Sequence, residues 1–203
     1  NGSNTDNSTP VSVSNITNAT AVSAGESHTC ALLSDGTIKC WGYGRGSALG
    51  NGSRSNSNTP VQVSNISNAI AISAGKNHNC ALISGGIIEC WGWDTIGGGG
   101  TDTGNTTPVS VSNISAAVSV SAGAGHTCAV LSDATIKSWG QGDEGQLGNG
   151  STTDQSTPVS VSNITNATAV SAGGSHSCAL LSDGTIKCWG ARTIWSSGHW
   201  VNH

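Results

Sequence analysis

The stretch G-E-S-H-T-C-A-L-L-S-D-G-T-I-K-C-W-G, from Gly25 to Gly42, decides the fold, because the chain writes it four times. It returns as G-K-N-H-N-C-A-L-I-S-G-G-I-I-E-C-W-G over Gly75 to Gly92 and as G-A-G-H-T-C-A-V-L-S-D-A-T-I-K-S-W-G over Gly123 to Gly140. The fourth copy, G-G-S-H-S-C-A-L-L-S-D-G-T-I-K-C-W-G, runs from Gly173 to Gly190. His28, His78, His126 and His176 stand 50, 48 and 50 residues apart. Pro10, Pro60, Pro108 and Pro158 keep the same steps, as do Trp41, Trp91, Trp139 and Trp189. Self-similarity at such a period marks stacked units, each covering its neighbour's apolar face. Residues 1–190 read as one repeat domain, with units of about 1–50, 51–98, 99–148 and 149–190.

Within the first unit the runs Thr9–Ser14, Thr20–Ala24, His28–Ser34 and Thr37–Trp41 are short, rich in β-branched or apolar residues, and bounded by Gly, Asn, Pro or Asp. Those are the marks of strands. Ser34-Asp35-Gly36-Thr37 is a hairpin signal, since Asp-Gly accepts the positive φ values that match strand twist. Four antiparallel strands in a unit of this length predict an all-β chain of propeller blades, forming a partial or small propeller.

Composition agrees. Charged residues make up 9% of the chain, far below the roughly 25% of ordinary soluble domains, so Ser, Thr, Asn and Gly must wet the surface. The formal charge of -4 comes without any basic run, which excludes the electrostatic footprint of a nucleic-acid binder. No apolar stretch approaches the roughly 20 residues of a membrane-spanning helix.

The motif H-T-x-A-L, a hairpin, a strand ending in W-G and a G-Q-L-G turn follow one another here. Trp139-Gly140 through Gly145-Gln146-Leu147-Gly148 carries the last element in full, and Ala48-Leu49-Gly50 carries it in part. These residues resemble the regulator of chromosome condensation (RCC1) repeat family over residues 1–190. The resemblance implies a propeller with more blades than four repeats supply; a four-bladed closure is the alternative. It also implies structural roles: His28, His78, His126 and His176 packed in the blades and bonded to backbone, and Trp41, Trp91, Trp139 and Trp189 as core plugs. The secreted bacterial type of the family, which presents its surface to a protein partner, fits the acidic balance better than the members that exchange nucleotides or bind chromatin.

Cys30 and Cys40, Cys80 and Cys90, and Cys178 and Cys188 recur ten residues apart, whereas Cys128 faces Ser138. In an extracellular setting this reads as three hairpin-spanning disulfides and one free thiol, Cys128. A strict two-residue Asp-Gly loop would put Cys30 and Cys40 on opposite faces of the ribbon, so the disulfide reading requires a three-residue loop or a bulge. In the reduced alternative these cysteines are small buried apolar residues. A zinc site from His28, Cys30 and Cys40 lacks the close C-x-x-C knuckle and would fail in the third unit, so no metal or cofactor is expected.

Catalytic motifs are thin. Gly140-Gln141-Gly142-Asp143-Glu144-Gly145 fits G-x-G-x-x-G, but neither a βαβ unit nor a helix accompanies it, so it reads as a turn. Asp35, Asp133 and Asp183 belong to hairpins. Asn7-Ser8-Thr9, Asn15-Ile16-Thr17 and Asn163-Ile164-Thr165 are sequons compatible with export.

Residues 191–203, A-R-T-I-W-S-S-G-H-W-V-N-H, leave the pattern after Gly190. Codons for this tail can be chosen so that reading one nucleotide later gives E-R-F-G-Q-V-G-T-G-S-T-T, in register with Gly142 to Thr153. The tail therefore reads as frameshifted, on a fragment of a longer array.

Comparison among the copies separates fixed positions from free ones. The segment after W-G varies, with Tyr43, Arg45, Trp93, Asp94, Asp143 and Glu144, and so does the pair before each His, with Glu26 and Lys76. Loops of successive blades lie side by side, so these residues form the candidate binding patch, and Tyr, Arg and Trp are the types that dominate interface hot spots. The expectation is a non-enzymatic scaffold, secreted or at the cell surface, binding a protein or surface glycan. The first rival is a structural or adhesin segment that self-associates through open blade edges. The second is an enzyme using a metal or the acidic pair Asp143 and Glu144.

Overall fold

The computed structural model describes residues 2–93 and 104–191, which form strands and no helix. The first sheet is an antiparallel meander of β1 (Ala19–Ala24), β2 (His28–Leu33), β3 (Ile38–Gly42) and β4 (Ser57–Gln62). The second contains β5 (Ala69–Ala74), β6 (His78–Ile83), β7 (Ile87–Gly92) and β8 (Asn105–Ser110). The third contains β9 (Ala117–Ala122), β10 (His126–Leu131), β11 (Ile136–Gly140) and β12 (Gln155–Ser160). The last has three strands among the described residues, β13 (Ala167–Ala172), β14 (His176–Leu181) and β15 (Ile186–Gly190).

The sheets are offset from the repeats, which corrects the expectation that each repeat folds as its own sheet. A blade takes three strands from one repeat and its outermost strand from the next. Cys40 pairs with Val61 and Lys39 with Gln62 across β3 and β4. Consequently Thr9–Ser14, the expected opening strand, is not a strand. Val11 and Val13 are exposed, whereas Val63, equivalent to Val13, is buried.

The hairpin after β2 is of the irregular kind that the cysteine spacing demands. Leu32 pairs with Ile38 and Cys30 with Cys40. Leu33 N donates to Thr37 O at 2.9 Å, Gly36 N donates to Leu33 O at 3.0 Å, and Gly36 has φ +76°. This is a three-residue loop closed by a left-handed residue. Asp35 Oδ1 fixes it by accepting from Thr37 N at 3.0 Å and Thr37 Oγ1 at 2.7 Å. With both cysteines opposite each other on one face, disulfides join Cys30–Cys40, Cys80–Cys90 and Cys178–Cys188, and Cys128 is a free, buried thiol.

Packing occurs between blades. One core joins Leu32, Ile38 and the Cys30–Cys40 bridge of the first blade to Ile66, Ala69, Ile83 and Trp91. The same positions rebuild it at the second junction, with Leu82 and Ile88 against Ile114, Ala117 and Trp139, and at the third, with Val130 and Ile136 against Ile164, Ala167 and Leu181. Burying such side chains stabilises by about 1.5–3 kcal/mol each, so the junctions hold the array together. The structure thus has the organisation expected of RCC1-type propeller blades.

Polar bonds repeat at each junction as well. His28 Nε2 bonds Asn79 Oδ1 at 2.8 Å, His78 Nε2 bonds Thr127 Oγ1 at 3.0 Å, and His126 Nε2 bonds Ser177 Oγ at 2.8 Å. The ring partner is a side chain of the following blade rather than the backbone that the family resemblance implied. Ala74 N donates to Ser23 Oγ at 2.9 Å, Ala122 N to Ser73 Oγ at 2.9 Å, and Ala172 N to Ser121 Oγ at 3.0 Å. Burial, and secondarily the nearby His126 and His28 rings, push His78 down to about 4. Burial, and secondarily the His176 ring, push His126 down to about 4. His28 is lowered by burial, partly offset by its bond to Asn79.

The innermost strands β1, β5, β9 and β13 pack in sequence around a channel mouth of about 290 Å³. Ala24-Gly25, Ala74-Gly75, Ala122-Gly123 and Ala172-Gly173 line it. A Cβ on Gly25 would lie 2.4 Å from Gly75 O, so only glycine allows blades to approach this closely.

Candidate functional site

In an antiparallel meander, the turn joining the first two strands and the segment joining the last two emerge at one end. Backbone bonds lock them together: Tyr43 N donates to Ser27 O at 2.8 Å, Trp93 N to Asn77 O at 2.9 Å, and Gln141 N to Gly125 O at 2.8 Å. The two variable sets of positions therefore share one face, opposite the Ser-Asp-Gly hairpins.

On that face Tyr43, Arg45 and Trp93 line a single cleft of about 240 Å³, together with Gly46, Ser47 and Gly104. Tyr43 and Trp93 are each 40% exposed, in contrast to the buried Trp91 and Trp139 just below the face. Trp93 follows the buried Trp91-Gly92 pair, so the core tryptophan anchors its backbone while its own ring faces outward. Gly46 leaves room beside it: a Cβ there would sit 3.6 Å from Trp93 Cβ. Ser47 Oγ donates to Gly104 O at 3.2 Å, tying the loop of the first blade to the segment entering β8.

The other candidate positions fall elsewhere. Glu26 and Lys76 form an ion pair of 3.4 Å at the channel mouth, with both side chains about half exposed. Such a pair contributes about 0–1 kcal/mol. Asp143 and Glu144 form an exposed turn on the third blade. Gln146 Nε2 donates to Asp143 Oδ1 at 3.2 Å, and Glu144 N donates to Gln146 Oε1 at 2.8 Å, so Gln146 organises that turn. Asp94 lies outside the described residues. Gly46, Ser47 and Gly104 were not singled out by sequence; the glycine-rich Gly44-Arg45-Gly46-Ser47 run was the available signal for a recess.

Chemically the cleft offers two aromatic faces, a phenol and a guanidinium, groups that stack and that recognise carboxylates. No group of three or more His, Cys, Asp or Glu positioned to hold a metal occurs among the described residues. Beside His28, the sulfurs of Cys30 and Cys40 are bonded to each other and cannot serve as thiolate ligands.

Two models of the Regulator of chromosome condensation (RCC1) repeat match the chain, one over residues 35–82 and 137–180, the other over 19–46 and 117–146. Together they cover 19–82 and 117–180, more than half of the sequence. No curated protein matches the chain. Among solved structures, the crystal structure of Kap60 bound to yeast RCC1 (Prp20) matches with a TM-score of 0.69 and 22% identity, over 84% of this chain and 43% of that one. Prp20p of Saccharomyces cerevisiae, solved in work on its binding to Gsp1p and histones, matches with a TM-score of 0.68 and 22% identity, over 79% and 43%. Human WBSCR16 gives a TM-score of 0.72 and 18% identity, over 85% and 47%. The chain thus spans less than half the length of each of these structures. Recurrent blade sequence, offset meanders and inter-blade cores agree with these matches, and the chain belongs to the RCC1 repeat family.

Proposed function

We propose that this chain is a non-enzymatic protein-interaction scaffold whose partner docks on the cleft formed by Tyr43, Arg45 and Trp93. The observation that carries the reading is the convergence of these residues from two blades, with both aromatics held outward on a buried tryptophan framework. Anchors of this kind lose little side-chain entropy on binding. Two of the structural relatives have protein partners: Kap60 for one, Gsp1p and histones for the other. An acidic carboxylate on the partner would complement Arg45. The three disulfides favour an oxidising, extracellular setting for this scaffold.

Affinity capture from culture medium and cell-surface extracts, comparing the native chain with Arg45→Ala/Trp93→Ala, tests the reading. Loss of two hot-spot side chains weakens capture by at least about thirtyfold. Equal capture by both proteins excludes this cleft. Glu26→Gln, at the channel mouth, serves as the folded control.

A further inference from the structure

The cationic side chains divide by whether they are already committed. Lys39 Nζ donates to Asn15 O at 3.2 Å, Lys137 Nζ to Ser160 Oγ at 3.0 Å and Lys187 Nζ to Asn163 O at 3.2 Å, while Lys76 pairs with Glu26. Arg45 and Arg54, both exposed, have neither a hydrogen bond nor an ion pair among the described residues. The segments that carry these two arginines touch. Gly44 N donates to Asn56 Oδ1 at 2.9 Å, and Gly44 packs so closely on Ser55 O that no Cβ fits there. Arg54 therefore stands beside the cleft that Tyr43, Arg45 and Trp93 line, although it is not one of the lining residues. In a chain of formal charge -4, the two uncommitted cations are neighbours at the same site.

The equivalent turn of the third blade has the opposite sign. Asp143 and Asp154 stand where the first blade has Arg45 and Asn56, and Glu144 stands where it has Gly46. The backbone frame is the same, since Gly142 N donates to Asp154 Oδ1 at 2.8 Å as Gly44 N does to Asn56. The turn therefore tolerates either charge, and neither is needed to form it. Both turns follow a W-G strand and emerge on one face, which carries a cationic, aromatic end and an anionic end.

Resting on the reading of the cleft as a docking site, we propose that the segment entering it is an acidic peptide stretch of the partner. One carboxylate meets Arg45, a second meets Arg54, and an apolar side chain lies against Tyr43 and Trp93. A guanidinium presents a planar fork that matches a carboxylate with two parallel bonds. The cleft of about 240 Å³ is smaller than the pockets that enclose whole small ligands and suits an inserted side chain. A long polyanion of uniform charge, such as a nucleic acid or an acidic polysaccharide, would meet the carboxylates of the third blade on the same face. A segment acidic at one end only avoids them, so the third-blade turn sets the direction in which the partner lies. Arg54 is thus a specificity residue that acts beside the aromatic anchors.

Selection of a phage-displayed dodecapeptide library on the native chain tests this. The expected peptides carry at least two Asp or Glu beside an aromatic, proline or aliphatic residue. Synthesised with blocked ends, they should bind about tenfold more weakly to Arg54→Ala. Their affinity for the native chain should fall as salt rises from about 0.05 to about 0.5 M. Lys137→Ala, which removes the same charge from the third blade, should bind them as the native chain does. An equal loss in Lys137→Ala reduces the effect to net charge and overturns the proposal. Selected peptides that lack acidic residues yet require Arg45 and Trp93 overturn the acidic segment and leave the docking cleft in place. Peptides that bind Arg45→Ala/Trp93→Ala as well as the native chain, or the absence of any selected peptide, remove both. Polygalacturonate or oligodeoxythymidylate binding more tightly than the peptides, with the same dependence on Arg54, overturns the peptide in favour of a polysaccharide or a nucleic acid.

Discussion

His126 reaches across the third junction to Ser177: its Nε2 lies 2.8 Å from a hydroxyl that itself donates to Gln146 O at 3.1 Å. Because Ser177 spends its proton on the carbonyl, it must accept from the ring, which fixes His126 as the neutral tautomer with hydrogen on Nε2. The relation couples an inner histidine, the following blade and the Gly-Gln-Leu-Gly turn in one buried chain of bonds.

Buried neutral histidines make the array sensitive to acid. His78 and His126 have folded values near 4, below the unfolded value of about 6.5, so the unfolded chain binds more protons between these limits. Stability is therefore fully present above about pH 6.5 and falls as the pH drops towards 4, by up to roughly 3 kcal/mol for each ring. Urea midpoints measured from pH 7.5 to 4 check this. A flat profile, or a profile unchanged in His78→Gln, contradicts it.

Ser177→Ala removes the acceptor of the His126 ring and leaves a buried donor without a partner. The expected loss is about 1–3 kcal/mol. Ser177→Thr keeps the hydroxyl, as Thr127 does at the preceding junction, and should recover most of the loss in thermal or urea unfolding.

Cys128 lies opposite Ser138 in the same register that places Cys30 opposite Cys40. Burial pushes the Cys128 thiol up to about 12, so the native residue stays a thiol that ordinary alkylation leaves unmodified. Ser138→Cys should form a fourth bridge and stabilise by about 3 kcal/mol on the chain-entropy account. Intact mass after alkylation in denaturant without reductant, with no label on either cysteine, checks the bond. The lost Ser138 Oγ bond to Leu147 O reduces the gain.

Ala134 occupies the left-handed hairpin position, at φ 61°, that Gly36 and Gly184 fill in other copies. Left-handed alanine costs about 1–2 kcal/mol, part of which the greater freedom of unfolded glycine offsets. Ala134→Gly should therefore stabilise by about 0.5–1 kcal/mol, and Gly184→Ala should destabilise by a similar amount. Matched urea denaturation of both variants gives opposite signs if the hairpin conformation is as described.

Most of the scaffold was legible in the sequence because the information was local and repeated. His-Thr-Cys-Ala-Leu-Leu alternation, the Ser-Asp-Gly punctuation and the ten-residue cysteine spacing are properties of one hairpin, and they predicted strands, an irregular loop and bridges together. The position after each His, always Thr, Asn or Ser, was an unread signal for the inter-blade bond. What tertiary structure alone decided was which strand completes which sheet: Val61 pairs with Cys40 because an open ladder must find its neighbour, whatever boundary the repeat suggests. Tertiary packing also sorted the variable loops, gathering Tyr43, Arg45 and Trp93 into one cleft while sending Glu26 and Lys76 to the channel mouth and Asp143 and Glu144 to the third blade. Periodicity fixes what a residue type can do within its blade; only the packing of one blade on the next fixes which side chains meet.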